Sequence, residues 1–145
     1  MKKKLIWMFP ILWMVIIFDF SSQDGNESTQ TSLRVGRLIG SVICQDYEEM
    51  TAQQQTEYAR GIELIVRKEA HSMEYAILCI AFLVAFSQKK VYAYPMTVLY
   101  AMSDEFHQLF VPGREGKLTD VLIDSGGALF GLLLFILIRN ITKKR

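Results

Sequence analysis

Four apolar segments alternate with polar ones along the chain and predict helices that cross a membrane. They cover residues 5–20, 71–86, 91–110 and 121–138. At about 1.5 Å of rise per residue, the first segment reaches only about 24 Å, whereas the hydrocarbon core of a bilayer is about 30 Å thick. Their polar flanks must therefore lie at membrane depth or be covered by packing. A soluble four-helix bundle is the alternative interpretation.

The polar stretch over residues 21–70 separates the first two segments and holds too few apolar residues to fold as a separate domain. Its first ten residues include Gly25 and Asn26, which predicts a loop. Small and apolar residues at helical spacing predict a helix over residues 32–44 on the membrane surface. A further helix is predicted to lead into the second span, with a bend at Gly61 as one option.

Two residues at the start of that further helix carry a capping signal. Thr51 and Gln54 have the spacing of a capping box, in which each side chain bonds the other residue's main-chain N–H. The predicted fold class is therefore all-α, a four-span transmembrane helix bundle with an extracytoplasmic helical collar between spans one and two. We predict a single membrane domain over residues 1–145.

Charge is distributed unevenly between the two sides that four spans would create. Residues 1–4, 88–90 and 139–145 would lie on one side, and they contain nine basic residues and no acidic one. All 15 acidic residues and the other seven basic ones lie in the rest of the chain. Because cytoplasmic loops are enriched in Lys and Arg, this pattern predicts a multi-pass cell-membrane protein with cytoplasmic N and C termini. The net charge of +1 does not indicate a nucleic-acid binder.

The first segment also resembles the start of a secretory signal peptide, because three lysines precede its apolar run. No small-x-small pattern that would mark a cleavage site follows, since the run ends in Phe18-Asp19-Phe20-Ser21-Ser22-Gln23. We therefore interpret residues 5–20 as an uncleaved signal anchor.

Polar side chains concentrate where spans two, three and four meet the same side of the membrane. Ionisable groups inside a span are costly and persist when they face the bundle interior and pair with one another. The helical spacing places most of them on shared faces, so we predict a polar pocket at the depth of the lipid headgroups. The candidate ligand-binding residues are Arg67, Lys68, His71, Glu74, Tyr75, Asp104, Glu105, His107, Gln108, Arg114, Asp120 and Asp124.

Each of these groups also has a purely structural interpretation. Asp120 and Asp124 can stabilise a helix start, and the basic pair before the second span can contact lipid phosphates. Gly127 and Gly131 form a GxxxG pattern typical of helix packing, which also allows a homodimer through these glycines. The histidines can form ion pairs that only hold the bundle together. No metal site is predicted, because the metal-ligand spacings H-x-x-x-H and H-E-x-x-H are absent, and no cofactor is expected.

The ordered motifs of the chain resemble the VanZ-like integral membrane proteins over nearly its whole length. The matching residues are Phe20-Ser21-Ser22-Gln23, Arg67-Lys68-x-x-His71-x-x-Glu74-Tyr75, Tyr100-Ala101-x-x-Asp104-Glu105-x-His107-Gln108-x-Phe110-x-Pro112-Gly113-Arg114, and Asp120-Val121-x-x-Asp124-x-x-Gly127-x-x-x-Gly131. One departure is Ser72, where the family usually carries a bulky aromatic residue. The resemblance implies a Gram-positive cell-envelope protein linked to reduced susceptibility to teicoplanin-type glycopeptides, with no established reaction.

Three functions remain open on this basis. The leading hypothesis is a membrane protein that binds a lipoglycopeptide, a membrane lipid or a lipid-linked cell-wall precursor at the outer leaflet, or alters access to it. The alternative is a membrane-embedded hydrolase or transferase on such a substrate, with Glu74 and His71, or Asp104 and His107, as its carboxylate–histidine pair. A small-solute or proton transporter is a weaker third hypothesis, because no polar residue marks the inner halves of the predicted spans.

Overall fold

The computed structural model describes residues 2–143, with side chains from Leu5 onward, and these residues form helices and the turns between them. The helices are α1 (Lys2–Ser21), α2 (Gly25–Ile43), α3 (Ala52–Ala85), α4 (Lys90–Gln108) and α5 (Leu118–Lys143), with a single 3-10 turn at Tyr47–Glu49. Two members of the predicted cytoplasmic basic set, Lys144 and Arg145, lie outside the described residues. The all-helical fold class is confirmed.

The start of α2 corrects one prediction, because residues 25–30 are helical and do not form a loop. The side chain of Asp24 caps the helix by accepting hydrogen bonds from the main-chain N–H groups of Asn26 and Glu27, at 2.9 and 2.8 Å. The polar composition that indicated a loop thus belongs to a helix N-terminus. α3 continues through Gly61 without interruption, and the bend considered there stays a prediction.

The capping box at the start of α3 is confirmed. Thr51 and Gln54 satisfy each other's main-chain N–H groups through their side chains. With 34 residues, α3 is about 51 Å long at 1.5 Å of rise per residue. It therefore reaches well beyond the predicted second span, which is only its C-terminal part.

α3 is the central element, and the other helices pack along it. α1, α4 and α5 surround its C-terminal half, where Tyr75, Leu78 and Cys79 are fully buried. α2 runs antiparallel to the N-terminal half, since Thr29 contacts Arg67 while Gly36 lies against Ala59. α3 therefore links the helices of both halves.

The glycines of the GxxxG pattern lie against α3 of the same chain. A Cβ added at Gly127 would stand 2.1 Å from the carbonyl oxygen of Ser72, and one at Gly131 would stand 2.4 Å from that of Ala76. The absence of a side chain is thus what lets the two backbones approach, and the packing interpretation of these glycines is confirmed. A homodimer that uses the same face would require α3 to leave it, and the homodimer stays a prediction.

Apolar side chains are exposed along the outer faces of the helices. On α5 they include Leu122, Phe130 and Leu137, each more than half exposed. Among the described helices, α5 is long and apolar enough to cross a membrane by itself, and α1 with α2 meets the same criterion as a pair bent by 105°. An apolar surface of this extent indicates association with a membrane.

Candidate functional site

One end of the assembly encloses a cavity of about 380 Å³ between α3, the α4–α5 loop and α5. Eight of the twelve candidate ligand-binding residues line it, namely Arg67, Lys68, His71, Glu105, Gln108, Arg114, Asp120 and Asp124. Leu64, Gly113, Glu115, Lys117 and Ile123 complete the lining. The predicted convergence of spans two, three and four is thus observed for most of the candidate residues.

The other four candidates lie behind or beside the cavity wall. Tyr75 is fully buried in the core, and Asp104 is 2% exposed. The ring of His107 lies against that of Phe18 in α1, with 4.5 Å between the ring centroids. The carboxylate of Glu74 approaches His71 from the far side, with 3.8 Å between Oε2 and Nδ1. These four residues therefore lie outside the lining, and Glu74 is linked to the cavity only through its contact with His71.

α3 contributes two cations to the cavity, Arg67 and Lys68, from one helix turn that faces both α2 and α5. Arg67 forms an ion pair with Glu63, one turn earlier on α3, and donates a 2.7 Å hydrogen bond to the hydroxyl of Thr29 in α2. The next residue, Lys68, donates to the Oδ1 atom of Asp120 at the start of α5, at 2.9 Å. These two contacts hold α2 and α5 on either side of the cavity.

α4 closes the wall with a carboxylate that caps the next helix. The Oε2 atom of Glu105 accepts a 2.9 Å hydrogen bond from the main-chain N–H of Lys117, directly before α5. The other carboxylate oxygen, Oε1, accepts from the Nε2 atom of Gln108 at 3.3 Å. Both residues are nearly fully buried, so one partly buried hydrogen bond holds the end of α4 to the beginning of α5, and Gln108 supports its acceptor from within α4.

Arg114 ties the α4–α5 loop to the end of α1. Its Nε and Nη2 atoms donate to the main-chain carbonyls of Gln23 and Phe20, each at 3.1 Å. Burial, with a smaller contribution from the charge of Arg67, lowers the pKa of Arg114, but a guanidinium stays charged at any physiological pH. The planar arrangement of its donors suits two carbonyls at once.

A backbone contact beside Arg114 explains the Pro-Gly sequence that precedes it. The N–H of Gly25 donates to the carbonyl of Pro112 at 3.0 Å, and Gly113 adopts a φ of +71°. A Cβ at Gly25 would lie 2.1 Å from the carbonyl oxygen of Gly113. Only glycine therefore lets the α1–α2 turn and the α4–α5 loop meet this closely.

Several buried polar atoms around the cavity have no hydrogen-bond partner among the described residues. Three belong to residues of the lining, namely Oδ2 of Asp124, Nδ1 of His71 and Nε of Arg67. Oδ1 of Asp104 and Oε2 of Glu74 share this property behind the wall. A buried polar atom without a partner costs about 1–3 kcal/mol, so such atoms concentrate at sites that bind something. Across the described part of the chain, no group of three or more His, Cys, Asp or Glu side chains is arranged to hold a metal ion.

Three residues that sequence analysis missed are important for this geometry. Glu63 lies one helix turn before Arg67, a spacing at which an ion pair can be read from the sequence. Thr29 and the main-chain N–H of Lys117 had no such signal, because both reach the site only through packing between distant segments.

Comparison with known proteins gives one result that covers most of the chain. Residues 6–139 match the family model described as VanZ/LLP1. No curated protein and no solved structure matches the chain. The matched region contains all five helices almost completely, together with every residue that lines the cavity. The resemblance drawn from the ordered motifs is thereby confirmed, and the chain belongs to the VanZ/LLP1 family.

Proposed function

We propose that this protein crosses the membrane four times, through α1, the C-terminal half of α3, α4 and α5. The exposed apolar side chains of these helices support this arrangement, because lipid is a solvent in which such surface is not penalised. The N-terminal half of α3 and the helix α2 would then stand outside the bilayer as the collar.

The distribution of charge supports an orientation with the cavity on the outer face. Lys89, Lys90 and Arg139 lie at the end opposite the cavity, and residues 75–103 and 125–145 contain no acidic residue. Lys and Arg favour the cytoplasmic side. We therefore assign both termini to the cytoplasm and the cavity to the depth of the outer-leaflet headgroups.

The function that follows from this placement is the binding of a ligand at the outer leaflet. The observation that carries it is the 380 Å³ cavity lined by charged groups of both signs, a volume in the range of small-ligand sites. Through this site the protein would bind a teicoplanin-type lipoglycopeptide or a lipid-linked cell-wall precursor. Either event would keep the antibiotic from its target and lower susceptibility to it.

Teicoplanin susceptibility of a Gram-positive host that expresses the protein tests this function. Lys68→Gln removes the cation that holds Asp120 at the cavity, whereas Arg60→Gln removes an exposed cation two turns earlier on the same helix. We expect the wild type and Arg60→Gln to raise the inhibitory concentration equally. Losing a charge-assisted contact worth about 1.5 kcal/mol weakens binding about tenfold, so Lys68→Gln should lose most of this effect.

Two outcomes would contradict the proposal. A wild type that leaves susceptibility unchanged at full membrane expression would separate this chain from the resistance phenotype. A Lys68→Gln variant as protective as Arg60→Gln would show that the cavity is not the site. Quantified membrane levels of each variant exclude differences in expression.

One contact favours a second candidate, a hydrolase or transferase on a lipid-linked substrate of the cell envelope. His71 and Glu74 face each other across 3.8 Å beside the cavity, a distance longer than a hydrogen bond. A histidine and a carboxylate that close such a gap when substrate binds can share a proton during catalysis. Glu74→Gln should then abolish turnover of lipid II in nanodiscs, as followed by mass spectrometry, whereas Glu69→Gln, an exposed change on the same helix, should not. Absence of turnover by the wild type would contradict the enzyme hypothesis for this substrate, and unchanged turnover by Glu74→Gln would exclude Glu74 as the catalytic carboxylate.

A further inference from the structure

The cations that line the cavity already have partners within the chain. Lys68 is paired with Asp120, and Lys117 is paired with Glu115 at 2.7 Å. Arg67 forms an ion pair with Glu63 and donates a hydrogen bond to Thr29, and Arg114 donates to two main-chain carbonyls. An anionic ligand would have to take one of these cations from its present partner.

The acceptors of the lining differ from the cations in this respect. Asp124 is 1% exposed, and its Oδ2 atom has no hydrogen-bond partner among the described residues. Nδ1 of His71 also lacks a hydrogen-bond partner, but it faces Oε2 of Glu74 at 3.8 Å, behind the cavity wall. The cavity thus offers one unused acceptor, Oδ2 of Asp124, whereas each of its four cations is paired and only Nε of Arg67 among their buried nitrogens lacks a partner.

The number of charged side chains in and around the lining also favours a ligand that carries positive charge. The lining contains four cationic and four acidic side chains besides His71, while Glu63, Glu74 and Asp104 add further acidic groups directly around it. A ligand that brings positive charge and N–H donors therefore complements the site, and one that brings only negative charge does not.

We propose that the cavity holds its ligand by a primary ammonium group, which donates to Oδ2 of Asp124. This inference rests on the proposed ligand site and names the chemistry that the site recognises. Lys68, whose side chain is 44% exposed, lies where it can meet an anionic group of the same molecule. The ligand class is thus a zwitterion or amine-bearing molecule with its amine innermost.

Competition between lipids that differ only in the headgroup tests the inference. The purified full chain is exposed in detergent to equal amounts of phosphatidylethanolamine, phosphatidylcholine and phosphatidylglycerol with the same acyl chains, and bound lipid is counted by native mass spectrometry. Phosphatidylethanolamine carries a primary ammonium, whereas phosphatidylcholine carries a cation without N–H donors. We expect about a tenfold preference for phosphatidylethanolamine, which corresponds to about 1.4 kcal/mol.

Asp124→Asn should reduce this preference to within about twofold, since an amide brings no charge and a weaker acceptor. Asp19→Asn is the matched control, because Asp19 is an exposed aspartate near the end of α1 that lies at the cavity end of the assembly. A second arm offers free ethanolamine and measures its binding by calorimetry. Binding of ethanolamine without a lipid preference would place the amine on a molecule other than a membrane phospholipid, and this outcome also supports the inference.

Two results would overturn it. The first is an equal or greater occupancy by phosphatidylglycerol together with no binding of ethanolamine, a comparison that uses only the wild type and is independent of the folding of any variant. The second is an unchanged preference in a folded Asp124→Asn protein. Neither result depends on teicoplanin susceptibility, so failure of the amine inference and failure of the proposed function can be told apart.

Discussion

The two ends of the helix assembly are formed by the same four helices, but they are packed by different kinds of residue. At the cavity end, the end of α1, the middle of α3, the end of α4 and the start of α5 meet through charged side chains around 380 Å³ of open space. At the opposite end, the ring of Trp7 packs edge-on against that of Phe86, with 4.8 Å between centroids, and Phe86 contacts Tyr92. The cavity there is only about 80 Å³.

This difference separates stability from binding along the length of the same helices. Aromatic side chains fill space and exclude water, so each contributes strongly to stability. Charged side chains around a cavity contribute less, because each is costly to bury and is offset by its partner. Substitutions at the aromatic end should therefore affect stability first, and substitutions at the cavity end should affect ligand binding first.

The contact between α3 and α5 connects the two ends, and a substitution at Gly127 tests it. Its expected effect on stability is the largest of those predicted. In Gly127→Ala the new Cβ would stand 2.1 Å from the carbonyl oxygen of Ser72, so the helices must separate. We expect a loss of about 3 kcal/mol, at the upper end for overpacking because the obstacle is backbone. Thermal unfolding in detergent measures it.

Gly126→Ala is the matched control for this prediction, because nothing lies within 4 Å of a Cβ at that position. Alanine is the better helix former, so Gly126→Ala should raise stability by about 0.5–1 kcal/mol. Equal melting temperatures of the two variants would contradict the close contact of α3 with α5, and with it the common framework of the two ends.

Trp7→Ala tests the contribution of the aromatic end to stability. Trp7 contacts Phe82 and Phe86 but is only partly buried, so we expect a loss of about 2 kcal/mol, below the range for fully buried tryptophan. Met8→Ala, an exposed change at the neighbouring position, should cost much less. Lipid binding by the remaining folded protein should stay as in the wild type. A Trp7→Ala protein that folds but no longer prefers one lipid headgroup would break the division between the two ends.

Much of this arrangement could be predicted from the sequence, because hydropathy and helical spacing are local properties. The apolar segments correspond to α1, the C-terminal half of α3, α4 and α5. Eight of the twelve candidate residues line the cavity because residues three and four apart on one helix face the same way. The same rule could not place His107, which turns towards Phe18 on a helix far away in the sequence.

The start of α2, where composition predicts a loop, also carries a sequence signal for a packed helix. Ser28, Ser32, Gly36 and Gly40 are spaced by four, and all are buried in the described structure. A run of small residues at this spacing lets two helices approach closely. Polar composition alone suggested a loop, because serine is common both in loops and at close helix contacts.

Substitution of Arg114 tests the cavity end, where we expect a smaller effect on stability. Its guanidinium is half-buried and joins the α4–α5 loop to the carbonyls of Phe20 and Gln23. In Arg114→Gln both contacts are lost, and we expect the free energy of unfolding to fall by about 1.5 kcal/mol, the lower end for a hydrogen-bonded charge because solvent reaches the site. Arg114→Lys should restore little, because one ammonium cannot match the two donors of the guanidinium.

Limited proteolysis separates a local effect from a global one in these variants. Loss of the two contacts should free the α1–α2 turn around Gln23, so cleavage there should rise in Arg114→Gln before the midpoint of thermal unfolding is reached. Arg60→Gln, whose guanidinium is exposed on α3, should leave both cleavage and melting unchanged. If Arg114→Gln melts like the wild type and the turn stays protected, Arg114 does not hold the loop to α1. Its place in the cavity lining would then point to contact with the ligand itself.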